Sequence, residues 1–320
     1  MNQCKYTFLL PAYKATYFEE TLLSIKNQFY KDFKVLVSDD CSPENLESIF
    51  QRAVGDDARF TFRRNAENMG SKSLVSHWNL LVDLCDTKYL ILASDDDVYD
   101  KQFLEEVDRL IQKYPEVDLI RGRVQRSDGT RILDVDTIRD EFESQLTFLL
   151  NTYRKKQIQC IANYVFKTKS LKENGGFVAL PLAWGSDEAT IVSLTKNGVA
   201  ITKSVLFSFR WSGRNISTNY STNILKKKIE ARKQQYDYYC KCFLGIEKNL
   251  LKNDLYLLEE VKKIYKENTL GSIYYDLYIL KFREILELRK YLISSHFFCS
   301  FSDSLRFIWF WIKVKFLCSK

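Results

Sequence analysis

At 320 residues, 46% of them apolar and 28% charged, the chain is large enough to bury a substantial core and too hydrophobic to be intrinsically disordered. Eight cysteines lack Cys-x-x-Cys spacing, and only His77 and His296 supply imidazoles, which argues against a zinc site or a histidine-based triad and suits a reducing compartment. The net charge of +7 is uneven: residues from 213 onward hold 20 Lys and Arg against 11 Asp and Glu, a surplus of nine that leaves the first 212 residues at −2.

Residues 5–10 (Lys-Tyr-Thr-Phe-Leu-Leu) predict a strand, which Pro11-Ala12-Tyr13-Lys14 breaks into a loop. That apolar run is short and Lys14 follows it, so neither a signal peptide nor an N-terminal anchor is expected. Leu22, Leu23, Ile25 and Phe29 mark a helix over 19–29. A second strand over 34–38 ends in Asp39-Asp40-Cys41-Ser42-Pro43, and a helix over 44–54 starts after that proline. A third strand (59–63), a polar loop (65–71) and a helix (74–85) lead into Leu90-Ile91-Leu92-Ala93, an apolar run that enters Ser94 and then three consecutive carboxylates, Asp95, Asp96 and Asp97. Repeated strand–loop–helix units predict an α/β fold with a doubly wound, mostly parallel sheet.

Further along come a helix over 101–114, stopped before Pro115, and a strand over 117–121. A polar stretch follows with an Asp128-Gly129 turn suited to closing a hairpin. A helix (141–154), a strand (159–166), an Asn174-Gly175-Gly176 turn, an apolar helix from Ala189 and a strand (199–209) complete this part.

Two of the predicted strands end in acids, Asp39-Asp40 and Asp95-Asp96-Asp97, and in a parallel sheet those ends share the edge where ligands bind. Adjacent like charges are best tolerated where a cation arrives, and oxygen-only sites suit Mg²⁺ or Mn²⁺ shared with phosphates. The plainer alternative is that both acid runs cap the helices that follow them.

In order, the motifs are Pro11-Ala12-Tyr13, Val37-Ser38-Asp39-Asp40-Cys41-Ser42, Asn68-Met69-Gly70 through Trp78-Asn79, and Ser94 through Tyr99. Gly175-Gly176-Phe177, Gly185-Ser186-Asp187-Glu188, and Arg210-Trp211 with Asn215-Ile216-Ser217 follow. In this order and spacing, residues 1–215 resemble the GT-A-fold family 2 glycosyltransferases. Two residues depart from the family pattern. Cys41 stands where a glycine is usual, tolerable if its φ is negative, and Ser94 stands where many members carry the first Asp of the Asp-x-Asp pattern.

The resemblance implies an inverting, metal-dependent transfer of sugar from a nucleotide-diphosphate donor to a hydroxyl of a glycan or lipid-linked glycan, in bacterial surface-polysaccharide assembly. It implies that Asp39 and Asp40 face the nucleotide base, with Tyr13 stacked on or edging it and Pro11 and Ala12 shaping the loop beneath. Asp95 is then the ribose contact and Asp96 the ligand of Mg²⁺ or Mn²⁺, an assignment that could slip to Asp97. Lys72 or Arg210 could add positive charge near the phosphates. Asp187 matches the family's general base, with Glu188 as fallback. Burial near Trp184 and the like charge of Glu188 would raise its pKa. The competing role for Asp187 is a helix cap, and Trp184 could either stack on a sugar or pack inside. His77 is expected to be a buried, hydrogen-bonded histidine without chemistry.

Residues 216–320 change texture: no proline occurs beyond Pro181, and helices are predicted over 223–243, 254–267 and 273–293. Cys240 and Cys242 are expected in the core of that region. Residues 297–318 include the aromatic, basic run Leu305 to Cys318, too short to span a bilayer but suited to a membrane interface or to packing on protein. A cytoplasmic protein, peripheral at most on the inner membrane face, is the expected setting. The tail's basic residues are interleaved with acids, so nucleic acid is not an expected partner. Two other readings remain at this stage. One is a nucleotidyltransferase, disfavoured because 11–14 lack a Gly-rich loop; the other is a catalytically silent membrane-associated scaffold of the same fold.

Overall fold

The computed structural model of the protein describes residues 4–211 and 221–279. They form two compact units, one of residues 4–179 with 186–211, the other of 180–185 with 221–279.

The first unit is built on a ten-stranded sheet with the order β3-β2-β1-β4-β9-β6-β10-β5. Its first half is the expected parallel winding. β1 (Tyr6–Ala12), β2 (Phe33–Asp39), β3 (Phe60–Arg64) and β4 (Tyr89–Leu92) run parallel, connected through α1 (Phe18–Lys26), α2 (Leu46–Val54) and α3 (Gly70–Leu84). Asn45 caps α2, its side chain accepting from the Ser48 amide. Both faces of β1 and β4 are buried, which is why they read as unbroken apolar runs. The β1 strand continues through Pro11, where the sequence predicts a break. Leu9 is the last residue paired with β4 and Pro11 pairs only toward β2, so its missing N–H faces a side where the ladder has already ended.

The second half departs from the parallel pattern. β9 (Tyr164–Lys167) is antiparallel to both β4 and β6 (Leu119–Ser127), while β6 and β10 (Val199–Arg210) are parallel. The Asp128-Gly129 turn closes the expected hairpin between β6 and β7 (Ile132–Val135). β5 (Val98–Tyr99) and β8 (Phe142–Glu143) add short antiparallel pairs to β10. α4 (Phe103–Lys113), α5 (Gln145–Tyr153), α6 (Thr168–Glu173) and α7 (Ser186–Leu194) cover the sheet. The core is aromatic at its centre, where Tyr99 meets Phe8, Phe103 and Phe207 edge-on at 5.0–5.2 Å between centroids.

Several motif residues prove to be scaffold. Asn79 on α3 accepts from the Phe177 amide (2.7 Å) and donates to its carbonyl (3.0 Å), pinning the glycine turn to the helix. A Cβ on Gly176 would lie 2.5 Å from Asn79 Oδ1, and its φ of +80° is left-handed, so both space and conformation demand glycine there. Cys41 holds φ 56°, so the turn forms with cysteine even though the negative φ that would make it tolerable is not adopted. The left-handed conformation costs a side-chain-bearing residue about 1–2 kcal/mol, and glycine's greater unfolded-state freedom takes back part of that. Cys41→Gly is therefore expected to stabilise the fold by about 0.5–1 kcal/mol, read as a higher midpoint in guanidinium unfolding; a lower midpoint would show that the thiol is a needed contact.

In the second unit, α8 (Thr222–Glu247) packs on α9 (Leu255–Ile279) through Tyr239 and Phe243, which stack on and edge Tyr265 at 4.2 and 5.9 Å. The predicted second and third tail helices begin as one: α9 passes through Gly271 without a break. Cys240 is exposed and Cys242 half-buried, so only the second approaches the core position expected of both; the two-residue offset turns them to different sides of α8. The remainder of the third predicted helix, the Asn215-Ile216-Ser217 motif and the 297–318 segment lie outside the described residues. Among the described residues no helix is long and apolar enough to cross a membrane.

Candidate active site

The C-terminal ends of β1, β2 and β4 converge, as the parallel half of the sheet requires, and the acids sit at those ends in three different situations. Asp39 and Asp40 are buried. Asp39 accepts from the Ser42 amide (2.8 Å) and pairs with Arg64 across the β2–β3 ladder. Asp40 takes Asn65 Nδ2 (2.9 Å) and the Met69 amide (2.9 Å) on one oxygen and the Gly70 amide (2.7 Å) on the other. His77 completes this cluster, fully buried, with Nε2 2.9 Å from Ser38 Oγ and Nδ1 3.7 Å from Asp40. Burial lowers its pKa, so it is neutral here. The carboxylate oxygens of Asp39 and Asp40 thus bind the loop that frames the site.

Asp95 draws in the other side of the cleft. One oxygen accepts from the backbone amides of both Tyr13 and Lys14 at 2.8 Å, clamping the β1 loop to the acidic turn. Ser42 Oγ donates to the Tyr13 carbonyl (2.6 Å), tying the third strand end into the same loop. Tyr13 itself stays 41% exposed. Pro11 and Ala12 end β1 just before it, the Ala12 carbonyl accepting from the Asp40 amide at 2.8 Å.

Asp96 and Asp97 point to different ends. Asp97, the position to which the metal assignment could slip, is buried; it accepts from the Arg210 amide (2.8 Å) and from Ser94 Oγ, and Cys160 Sγ lies 3.9 Å away. Ser94 therefore stands in the family's Asp position as a donor to Asp97. Asp96 is half-buried, with Lys14 Nζ 3.9 Å from its carboxylate. Burial and then Asp95 push Asp96 up to about 6; burial and then Asp96 push Asp97 up to about 7. Arg210 supports this turn from behind: its Nε donates to the Asp96 carbonyl (2.9 Å), Nη2 pairs with Glu20 (2.5 Å), and the guanidinium lies 4.0 Å from the Tyr17 ring. Lys72, the other cation considered, is a surface residue paired with Glu67 at 2.7 Å.

Among the described residues no three His, Cys, Asp or Glu side chains converge to hold a metal ion unaided. The donor set that remains, one accessible carboxylate with raised proton affinity beside a second acid, fits Mg²⁺ or Mn²⁺ completed by substrate phosphates rather than a cage supplied by protein.

Asp187 joins the acidic turn through a segment that sequence reasoning mistook for a strand. Residues 157–163 are irregular, and they carry two neighbours facing two acids: Gln159 Nε2 lies 3.3 Å from Asp187 Oδ2, and Cys160 lies against Asp97. The Cys160 thiol is pushed well up by burial and by the nearby Asp97, Asp187 and Asp96 charges, so it stays a neutral spacer. Asp187 sits in the first turn of α7, half-buried, not at the cap. Burial raises its pKa; the Glu188 amide and Gln159 oppose the shift without cancelling it. Trp184 belongs to the second unit, where Lys228 Nζ and the Arg232 guanidinium lie over its ring at 4.4 and 5.4 Å. Gln159, Cys160 and Lys14 were missed in the sequence, since a glutamine, a thiol and a loop lysine carry no pattern of their own.

The fold is GT-A: a Rossmann-like parallel half, an acidic turn at its central strand and an antiparallel second half. The profile of Glycosyl transferase family 2 matches residues 7–175, more than half of the chain, and the protein belongs to that family. The nucleotidyltransferase reading gives way to it. Among solved structures, S. aureus TarS 1–349 in complex with UDP-GlcNAc is similar over 85% of this chain and 81% of that one, with TM-score 0.58 and 15% identity. A mannosyltransferase from Pyrobaculum calidifontis in complex with GDP-Man and Mn²⁺ is similar over 99% and 88%, with TM-score 0.52 and 13% identity. No curated protein matches the chain in sequence.

Proposed function

We propose that this glycosyltransferase moves a sugar from a nucleotide-diphosphate sugar to a hydroxyl of a glycan or lipid-linked glycan, by one displacement that inverts the anomeric configuration, in surface-polysaccharide assembly at the cytoplasmic side of a membrane. The observation that supports this reading is the 159–160 pair, where Gln159 Nε2 lies 3.3 Å from the candidate base Asp187 and Cys160 Sγ lies 3.9 Å from Asp97 in the acidic strand end. The bound nucleotide sugars in the two similar structures support the donor class, and the Mn²⁺ in one supports the metal.

In this reading the nucleotide lies over the Tyr13 ring, on the loop that Asp95 clamps and Asp39 and Asp40 frame. Because their oxygens already hold backbone amides and side chains, Asp39 and Asp40 act on the base by shaping the loop; the ribose contact falls to Asp95 and the main-chain groups beside it. Asp96 would hold the Mg²⁺ or Mn²⁺, with Asp97 as its internal support, and that ion would supply charge neutralisation for the departing diphosphate. Asp187 takes the acceptor hydroxyl's proton, its raised pKa bringing it nearer to that task, and Gln159 orients it. Glu188 in the same helical turn is the fallback base.

A panel of nucleotide sugars assayed for nucleoside diphosphate release with Mn²⁺ tests the donor class, and proton NMR of the product's anomeric coupling tests inversion. Retention of configuration, or nucleotidyl transfer with pyrophosphate release, would remove this reading.

A further inference from the structure

The β6–β7 hairpin carries an unusual edge strand. In β7 every residue is exposed, three of the four are apolar, and the exposure continues past the strand: Ile132 is 59%, Leu133 46%, Val135 39% and Ile138 74% exposed. The ladder skips Leu133 between the Arg126–Asp134 and Ser127–Ile132 pairs, and Ile132, Leu133 and Val135 are all left exposed. Soluble proteins blunt such edges with charge or cover them, and a bare apolar strand marks a contact surface.

Charge beside this strand indicates what it contacts. The hairpin's own acids are neutralised, Asp134 by Arg126 (2.9 Å) and Asp128 by Arg131 (3.3 Å), and buried Asp136 is paired with Arg121 (2.6 Å). Asp136 Oδ1 also accepts from the Ile158 amide, and Thr137 Oγ1 donates to the Lys156 carbonyl (2.6 Å), fastening the segment that leads to Ile138 against the turn after α5. That turn presents Lys155 and Lys156, both exposed. Against these stands the exposed Asp140. An apolar strip with lysines fixed at its border is the arrangement by which amphipathic surfaces hold an anionic bilayer.

The same strand lies close to the reaction centre. Ile132 pairs with Ser127, and Ser127 pairs with Arg210, so two strand spacings, about 10 Å, separate the apolar edge from the residue that braces the acidic turn. The hairpin tip is packed on that residue: a Cβ on Gly129 would lie 2.5 Å from Arg210 Nη1.

We propose that Ile132, Leu133, Val135 and Ile138, with Lys155 and Lys156, form a docking face for an anionic lipid surface, so that the catalytic unit itself rests on the membrane beside its cleft. The proposal concerns adsorption, does not depend on which sugar or acceptor is used, and is separate from any role of residues 297–318.

Flotation of the full-length protein with vesicles of phosphatidylcholine containing about one-third phosphatidylglycerol, against phosphatidylcholine alone, tests it, with hydrogen exchange locating the contact. Binding to the anionic vesicles with slowed exchange at 131–138 and 154–156 is expected. Lys155→Gln/Lys156→Gln should lower the partition coefficient about thirtyfold, the effect of two charges at such a surface. Ile132→Ser/Leu133→Ser/Ile138→Ser should lower it at least about tenfold; these side chains are exposed, so melting temperature should be unchanged. No vesicle binding by the wild type, binding unaltered in both variants, or protection confined to other segments would overturn the proposal. So would a dimer, seen by sedimentation velocity without lipid, that the serine variant dissolves, since β7 would then pair copies of the chain.

Discussion

Asp96→Asn is expected to remove most sugar transfer while leaving the fold intact, and Asp97→Asn to lower stability. Among the described residues the half-buried Asp96 carboxylate makes one ion pair, a long one to Lys14 at 3.9 Å, with Arg210 adding a weaker attraction, so its neutralisation costs the fold little. Stabilising a departing diphosphate by a bound cation amounts to several kcal/mol, which converts to a rate loss of about 10³-fold. Asp97, by contrast, accepts from the Arg210 amide and from Ser94 inside the protein. Breaking one of those bonds in a buried place costs about 1–3 kcal/mol of stability. Nucleoside diphosphate release, together with thermal shift by donor in a Mn²⁺ titration, separates the two. An Asp96→Asn protein that still shows wild-type stabilisation by donor plus Mn²⁺ would move the ion elsewhere.

Asp187→Asn is expected to lower kcat by about 10²- to 10⁴-fold with little change in the KM for donor, because a general base acts on the acceptor and not on nucleotide binding. The pH profile gives an independent check. A base must be unprotonated to act, and burial raises the Asp187 pKa, so the acid limb of kcat/KM should fall at a higher pH than an ordinary carboxylate would give, with activity increasing as pH rises through it. That limb should vanish from the residual activity of Asp187→Asn. Gln159→Ala, which removes the side-chain amide that donates to Asp187, should move the limb further upward. If Asp187→Asn remains active and Glu188→Gln does not, the proton goes to Glu188, the neighbour in the same turn.

The chain's local patterns determined a great deal. Unbroken apolar runs specify strands buried on both faces, which is why β1 and β4, and beside them the helices between and the hairpin turn at Asp128-Gly129, are legible without coordinates. The acids at 39–40 and 95–97 mark strand ends for the same reason, since a charge run cannot continue an interior strand. Such patterns identify which residues gather at one edge. They say nothing about which way each side chain turns, because direction depends on donors supplied from elsewhere in the chain. Asp40 is spent on Asn65 and the 69–70 amides, and Asp97 on the Arg210 amide 113 residues away, whereas Asp96, between similar neighbours, is left toward the cleft. The tertiary structure alone decided that division. It also decided that 159–163 is irregular and the strand begins only at Tyr164, with Gln159 set against Asp187 and Cys160 against Asp97, a demand that no periodicity in the sequence records.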